Sequence, residues 1–252
     1  MLLKDYLKDK GGLLFRYRSI TPLLLIPLFI AEKNHLGYPL DNPFWGMVYV
    51  LSCLAVSSIG IIIRVKTIGH IPKGTSGRNT TAQKAEVLNT TGIYSVVRNP
   101  LYLGNYFIFT GITLLMYSWE LFLLNQFFFA ASYIPIILAE EDFLLEKFGQ
   151  SYVTYTSQVP CFIPRFSGWQ TPEIPFNLRM VLRREHDTLL AVVLVFVMIE
   201  HFREYVITGR IELQMGWILF GGITLLFCLT LKILKKFTKV LKATPVPDHS
   251  PK

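Results

Sequence analysis

Two short polar clusters flank an apolar stretch in the middle of the chain, and each contains side chains that could bind a charged small molecule. The first cluster ends in Arg98, Asn99 and Pro100. Proline suits the first turn of a helix, and the N–H groups and partial positive charge of that turn favour an anion, such as the carboxylate of an amino-acid cofactor. The alternative is a basic residue that only anchors a helix at a membrane boundary.

The second cluster is the acidic run Glu140, Glu141 and Asp142, which ends the next apolar stretch. Acidic side chains at membrane depth are unfavourable and tend to be functional. A carboxylate at this point could hydrogen-bond a ribose or attract a sulfonium ion. The alternative is a solvated helix end whose acids interact with neighbours such as Lys147.

Membrane-spanning helices are the elements that would position these clusters. The chain is 52% hydrophobic and only 17% charged, and its apolar residues are gathered in blocks long enough to cross a bilayer. Too little chain remains outside the blocks for a separate soluble catalytic domain. We therefore predict an all-α integral membrane protein with about six transmembrane helices, of which the first is short and broken by proline. The predicted spans cover residues 19–31, 44–63, 101–118, 121–139, 189–207 and 216–234.

The distribution of basic residues predicts the orientation of these spans. Of the 25 Lys and Arg residues, 22 lie before the first span, between the second and third, between the fourth and fifth, or at the end of the sixth. This alternation predicts cytoplasmic N- and C-termini and accounts for the net charge of +8 without a nucleic-acid partner. A turn at Trp119–Glu120 would make the third and fourth spans a tight hairpin, with both polar clusters at the cytosolic face.

Four regions follow from this reading of the chain. Residues 1–72 form an N-terminal region with two spans, residues 73–167 the core with the hairpin, and residues 168–242 the last two spans. The proline-rich tail 243–252 is expected to be disordered. The three cysteines form no C-x-x-C pair and the five histidines are scattered, so we predict neither disulfides nor a metal site. No cleavable signal peptide is expected.

The two clusters and the hairpin between them also resemble a known family. The pattern G-x-Y-x-x-x-R-[HN]-P-x-Y-x-G begins at Gly92, and the acidic pair is followed by F-G-x-x-Y-x-x-Y-x-x-x-V-P-x-x-I-P, which ends at Pro164. Together these blocks are similar to the isoprenylcysteine carboxyl methyltransferases, and the phospholipid N-methyltransferases share a looser form. The resemblance covers about residues 74–166. It implies a membrane methyltransferase that binds S-adenosyl-L-methionine from the cytosol.

The resemblance also implies a role for individual residues. Arg98 would stand near the reacting groups, and Glu141 is a second catalytic candidate. The cofactor would be held by the residues around the motif that begins at Gly92 and by the first acid of the pair. The implied cofactor residues are Asn79, Glu86, Val87, Leu88, Asn89, Tyr94, Asn99, Pro100, Leu101, Tyr102 and Glu140.

Two positions depart from the family pattern. Asn99 stands where the family usually has His, and an amide can hydrogen-bond but cannot titrate near neutral pH. Ile136 stands where the prenylcysteine enzymes carry an Arg that helps to bind substrate. A carboxylate substrate would lose that partner here.

The acceptor is expected to be a lipid or a lipidated molecule in the bilayer. A carboxylate or phosphate oxygen needs no base, whereas an amine must lose a proton. Since no clear base accompanies Arg98, an anionic oxygen is the favoured acceptor, for example on a prenylated cysteine or a glycolipid phosphate. The alternatives are methylation of a phospholipid amine, and a non-catalytic scaffold or transporter. A transporter would carry polar pairs or broken helices near the bilayer midplane, and the spans have few interior charges.

Overall fold

The computed structural model describes residues 3–17, 26–31, 42–72 and 85–241, which form helices and connecting segments. The prediction of an all-α protein is confirmed in this part of the chain, where one isolated bridge, between Gly92 and Gln170, is the single β-type pairing. The helices are α1 (Leu3–Tyr17), α2 (Ile26–Ala31), α3 (Pro43–Gly69), α4 (Pro100–Leu115), α5 (Trp119–Phe148), α6 (Gln150–Gln158), α7 (Leu178–Thr208) and α8 (Met215–Phe237).

Three of the described helices are long and apolar enough to cross a membrane, and the chain is an integral membrane protein. They are Phe44–Gly69, Trp119–Phe148 and Met215–Phe237. Helix α4 is apolar but has 16 residues, or about 24 Å at 1.5 Å per residue. Only residues 26–31 of the first predicted span are described, and they form α2. The count of six spans and the cytoplasmic position of the termini stay predictions.

Two helix boundaries correct the expectations from the sequence. Trp119 and Glu120 are the first two residues of helix α5 and do not form the loop between the helices. Ser118 caps α5, because its hydroxyl accepts a hydrogen bond from the Leu121 N–H at 3.2 Å. The turn that joins α4 to α5 is therefore residues 116–118. Helix α5 also continues to Phe148 and ends where Gly149 takes a φ of 53°, so the acidic run lies inside the helix.

Small residues bring α3 and α4 into close contact. A Cβ on Gly60 would lie 2.3 Å from the Gly104 carbonyl oxygen, and a Cβ on Gly111 would lie 2.2 Å from Ser57 Oγ. The Ser57 hydroxyl donates to the Ile108 carbonyl at 3.1 Å across this contact. Close packing of this kind stabilises helix contacts in lipid, where the hydrophobic effect does not drive helices together.

The C-terminal end of α4 is satisfied by side chains from other helices. Arg203 of α7 is fully buried, donates to the Leu115 carbonyl and pairs with Glu200, while the Tyr49 hydroxyl donates to the Leu114 carbonyl. The last carbonyls of a helix need such partners. Helix α7 thus carries one ion pair inside the bundle, where Arg203 satisfies the end of the short helix α4.

A second charged network joins α7 to the rest of the bundle. Arg64 of α3 donates to both carboxylate oxygens of Glu185, at 2.7 and 2.9 Å, and to Asn105 Oδ1 at 2.6 Å. Asn105 Nδ2 donates in turn to the Tyr133 hydroxyl of α5 at 3.2 Å.

Helix α7 starts at Leu178, eleven residues before the predicted span, because Asn177 caps it by accepting from the Met180 N–H at 3.0 Å.

Candidate active site

A half-buried ion pair joins the two polar clusters at one end of the bundle. Arg98 Nη2 lies 2.8 Å from Glu141 Oε1, and Arg98 Nε donates to the same oxygen at 2.9 Å. Arg98 Nη1 donates to the carbonyls of Val159 at 2.8 Å and Thr156 at 3.2 Å. The plane of the guanidinium is thus fixed by α5 on one side and by the end of α6 on the other.

The surroundings keep Arg98 charged. Burial by itself lowers the pKa of the Arg98 guanidinium, but the hydrogen bond and the charge of Glu141 outweigh it, so this pKa lies above its ordinary value. Arg98 is therefore a permanent cation that can hold an anion, and it is not an acid that releases a proton near neutral pH.

Asn99 stands at the start of α4 but its side chain does not cap the helix. Its Nδ2 donates instead to the Cys161 carbonyl at 3.2 Å, and it lies 3.4 Å from Glu141 Oε1. Burial, and then the charge of Glu141, raise the pKa of the neighbouring Cys161 thiol. The Asn99 amide thus connects the first cluster to Glu141 of the second and to Cys161, whose thiol stays neutral.

Tyr94 marks a second group of predicted residues beside the ion pair. Its carbonyl accepts a hydrogen bond from the Tyr155 hydroxyl at 2.8 Å. Burial raises the pKa of the Tyr94 phenol, the charge of Glu140 raises it further, and the charge of Arg184 lowers it. Glu140 of α5 and Arg184 of α7 thus have opposite effects on the pKa of the Tyr94 phenol.

The structure brings some of the predicted site residues into direct contact and places others in separate packing clusters. Arg98, Asn99 and Glu141 are in direct contact, and Glu140 precedes Glu141 on α5. The ring of Tyr102 packs 5.2 Å from that of Tyr133 on the side of α5, whereas Tyr94 and Leu101 pack against a cluster of α3 and α7 residues. Pro100 is buried at the start of α4.

The stretch before the Gly92 motif is less enclosed. Leu88 packs against Tyr152 and Tyr155, and Asn89 is half-buried. Glu86 and Val87 are exposed, and Asn79 lies outside the described residues.

The segment after α6 closes this end of the bundle, and we call residues 159–177 the return segment. Its backbone is bonded to the chain before α4. The Arg98 N–H donates to the Pro160 carbonyl and the Arg165 N–H to the Val96 carbonyl, both at 3.0 Å, and the Gly92 N–H donates to the Gln170 carbonyl at 3.1 Å. These bonds hold the return segment against the chain that precedes α4.

Residues absent from the prediction also contact the site. Thr156, Val159 and Cys161 present backbone or side-chain atoms to Arg98 and Asn99, and Arg184 acts on Tyr94. The motif that contains Val159 and Pro160 could have indicated the first group. Arg184 carried no signal, because it lies in a charged stretch that reads as a solvated loop.

Comparison with known proteins adds family information. Residues 47–151 match the family model described as phospholipid methyltransferase. The nickel-cobalt-cadmium resistance protein NccN of Alcaligenes xylosoxydans xylosoxydans is 31% identical over 154 residues, which are 60% of this chain and 64% of that protein. Protein-S-isoprenylcysteine O-methyltransferase of Schizosaccharomyces pombe is 31% identical over 120 residues, 46% of this chain and 50% of that protein. The chain thus spans less than two thirds of either relative. No solved structure matches it.

Proposed function

We propose that this chain is a membrane enzyme that methylates a lipid or lipidated acceptor with S-adenosyl-L-methionine, because residues 47–151 match the phospholipid methyltransferase family model and the motif pattern is similar to that of the isoprenylcysteine methyltransferases. The observation that supports the proposal most is the ion pair between Arg98 and Glu141. It joins two motif blocks that are 43 residues apart in the sequence.

The chemistry of the side chains around the ion pair suits this cofactor. S-adenosyl-L-methionine carries a sulfonium, an ammonium group, ribose hydroxyls and a carboxylate. Glu140 offers a carboxylate to the hydroxyls or the cations, and Tyr94 offers an aromatic ring beside it. The Asn99 side chain does not cap α4, so the positive end of this helix suits the carboxylate of the cofactor. Asn79, Glu86, Val87, Leu88, Asn89, Pro100, Leu101 and Tyr102 remain proposed cofactor contacts.

Methyl transfer asks the protein mainly for positioning. The cofactor supplies a methyl group that its sulfonium has already activated, so the chain must align the acceptor and exclude water. Arg98 is proposed to hold the anionic oxygen of the acceptor. Glu141 and the carbonyls of Thr156 and Val159 are positioning groups, because they fix the plane of the guanidinium.

The acid–base properties of the neighbours favour an acceptor without a proton to lose. Burial raises the pKa of the Tyr152 and Tyr155 phenols and of the Cys161 thiol, so all three stay protonated at neutral pH. Asn99 does not titrate. A carboxylate or phosphate oxygen can accept a methyl group in these surroundings, whereas an ammonium group would first need a base.

A phospholipid amine is the second candidate acceptor. The carboxylates of Glu140 and Glu141 could hold its ammonium group, and the matched family model bears the description phospholipid methyltransferase. Lipid mass spectrometry distinguishes an anionic oxygen from an amine as the acceptor.

Binding of S-adenosyl-L-methionine is expected to depend on Glu140. Calorimetry on the purified protein in detergent should show that Glu140→Gln weakens the affinity about tenfold, the effect of losing a charge-assisted hydrogen bond. Glu146→Gln is the matched control, because Glu146 is exposed on the same helix. If Glu140→Gln and Glu146→Gln bind S-adenosyl-L-methionine with equal affinity, Glu140 is not part of the cofactor site. If the unsubstituted protein does not bind S-adenosyl-L-methionine, a scaffold or transporter is favoured.

The class of acceptor follows from lipid mass spectrometry. Membranes that contain the protein, supplied with S-adenosyl-L-methionine, should hold one lipid class that gains about 14 daltons, the mass of one CH₂, on a phosphate or carboxylate. Membranes with Arg98→Met are the matched control. A gain confined to amino-headgroup lipids would instead establish the second candidate, and a gain in no class would contradict a lipid acceptor.

A further inference from the structure

The outer side of the return segment exposes large apolar side chains on a firmly bonded backbone. Ile163 is 80% exposed, Phe166 74% and Trp169 55%. The residues around them donate to fixed partners, since the Arg165 N–H bonds the Val96 carbonyl at 3.0 Å and the Gln170 N–H bonds Ser95 Oγ at 2.9 Å. The backbone beside these side chains is held in place, and their contact with water is unfavourable.

The segment has an inner and an outer face. Phe162 packs inward, with its ring centroid 5.7 Å from that of Tyr106 on α4 and 6.0 Å from that of Phe129 on α5. The next residue, Ile163, is the most exposed apolar residue of the segment. Because its side chain is largely exposed while that of Phe162 packs against α4 and α5, Ile163 lies on the outer face.

The contacts of Phe162 give its depth along the bundle. Tyr106 lies six residues beyond Pro100, about 9 Å along the axis of α4, and Phe129 lies twelve residues before Glu141, about 18 Å along α5. Phe162 therefore reaches below the level of the Arg98–Glu141 pair, toward the apolar middle of the two helices. Helix α5 is one of the helices long and apolar enough to cross a membrane.

The backbone of residues 160–170 suits a shallow position in lipid. Irregular backbone needs partners for its polar groups where water is scarce. Pro160 and Pro164 have no N–H group, and the carbonyls of Pro160 and Cys161 accept from Arg98 N and Asn99 Nδ2. Arg165 is exposed between Ile163 and Phe166, and an arginine there can reach lipid phosphate while apolar neighbours lie deeper.

We propose that residues 160–170 insert into the boundary between lipid headgroups and acyl chains, with Ile163, Phe166 and Trp169 in contact with lipid. Interfacial segments with an apolar face typically enter about 5–10 Å into the boundary between headgroups and acyl chains. The partner is the bilayer that α5 is long and apolar enough to cross, because Phe162 of the same segment packs against Phe129 of that helix. This inference stands apart from the methyltransferase activity and would hold for an inactive chain.

Thiol modification tests the insertion in single-copy nanodiscs of phosphatidylcholine. A water-soluble, membrane-impermeant maleimide reacts with the thiolate, which forms poorly in an apolar layer. Ile163→Cys should react at least about tenfold more slowly than Glu146→Cys, whose site is exposed on the polar end of α5, and at a rate similar to Phe127→Cys, 72% exposed on the apolar part of α5. The unsubstituted protein gives the baseline of the natural thiols.

Equal rates for Ile163→Cys and Glu146→Cys would overturn the proposal. A second measurement decides whether slow reaction reflects lipid or protein contact. The difference in fluorescence between the unsubstituted protein and Trp169→Phe isolates Trp169. Lipids brominated near the headgroup should quench that component more than lipids brominated at the chain end. A component that neither lipid quenches would mean that protein covers the segment, and the proposal would fail.

Discussion

Arg98→Met is expected to lower kcat/KM for methyl transfer at least about 100-fold, the effect of removing one fixed donor to a reacting oxygen. The substitution keeps the length of the side chain but removes the permanent cation, and it leaves the Glu141 carboxylate without its partner at 2.8 Å. The measurement is transfer of labelled methyl from S-adenosyl-L-methionine to lipid extract in nanodiscs. Arg98→Lys should also lose most of the activity, because an ammonium group cannot reproduce the fork of contacts.

Two controls separate a role in catalysis from a role in folding. Arg179→Met removes an exposed cation in the first turn of α7 and should leave kcat/KM within about twofold, as expected for a surface position. The affinity of Arg98→Met for S-adenosyl-L-methionine should stay within about threefold of the unsubstituted value, well under one charge-assisted bond. Activity retained in Arg98→Met, or cofactor binding lost in parallel with activity, would contradict the role given to this residue.

Glu200→Leu is expected to lower the free energy of unfolding by about 3–5 kcal/mol, because it leaves the buried Arg203 guanidinium without its carboxylate. Arg203 has no exposed surface, and it also holds the last carbonyl of α4. The measurement is reversible unfolding of the purified protein from mixed micelles by a denaturing detergent, followed by circular dichroism.

Replacing both members of this pair should be milder than replacing one. The double variant Glu200→Leu and Arg203→Met removes the charge along with its partner and should recover most of the loss. Glu212→Leu removes an exposed carboxylate after α7 and should change the free energy of unfolding by less than about 0.5 kcal/mol. If Glu200→Leu is no more destabilising than Glu212→Leu, the ion pair does not hold the end of α4.

The apolar helices were predictable because the bilayer imposes a simple rule on composition. Helices α3, α5 and α8 contain runs long enough to span hydrocarbon, and their positions agree with the predicted spans to within a few residues at one end of each. The sequence could not fix where α7 begins. Its first eleven residues carry Arg179, Arg183, Arg184 and Glu185, so hydropathy assigns them to a loop, although Asn177 caps a helix there.

The candidate site was predictable where local motifs specify it. Arg98, Asn99 and Glu141 belong to two short blocks, and an antiparallel arrangement of α4 and α5 is enough to bring them together. The bond between Arg64 and Glu185 joins positions 121 residues apart, and no local pattern pairs them. Burial decides which charges pair inside a bundle, and burial depends on packing that composition does not encode.

The backbone hydrogen bonds that hold the return segment in place are distinct from the side chains that the segment presents. Its bonds to the backbone of Gly92, Val96 and Arg98 run from backbone to backbone, so they depend little on which side chains the segment carries. Substitutions along residues 161–169 can therefore alter the shape and polarity offered to an incoming molecule while the bonds to Arg98 stay in register. Under the proposed function, such surface changes would alter the acceptor that is bound and leave the backbone arrangement around Arg98 unchanged.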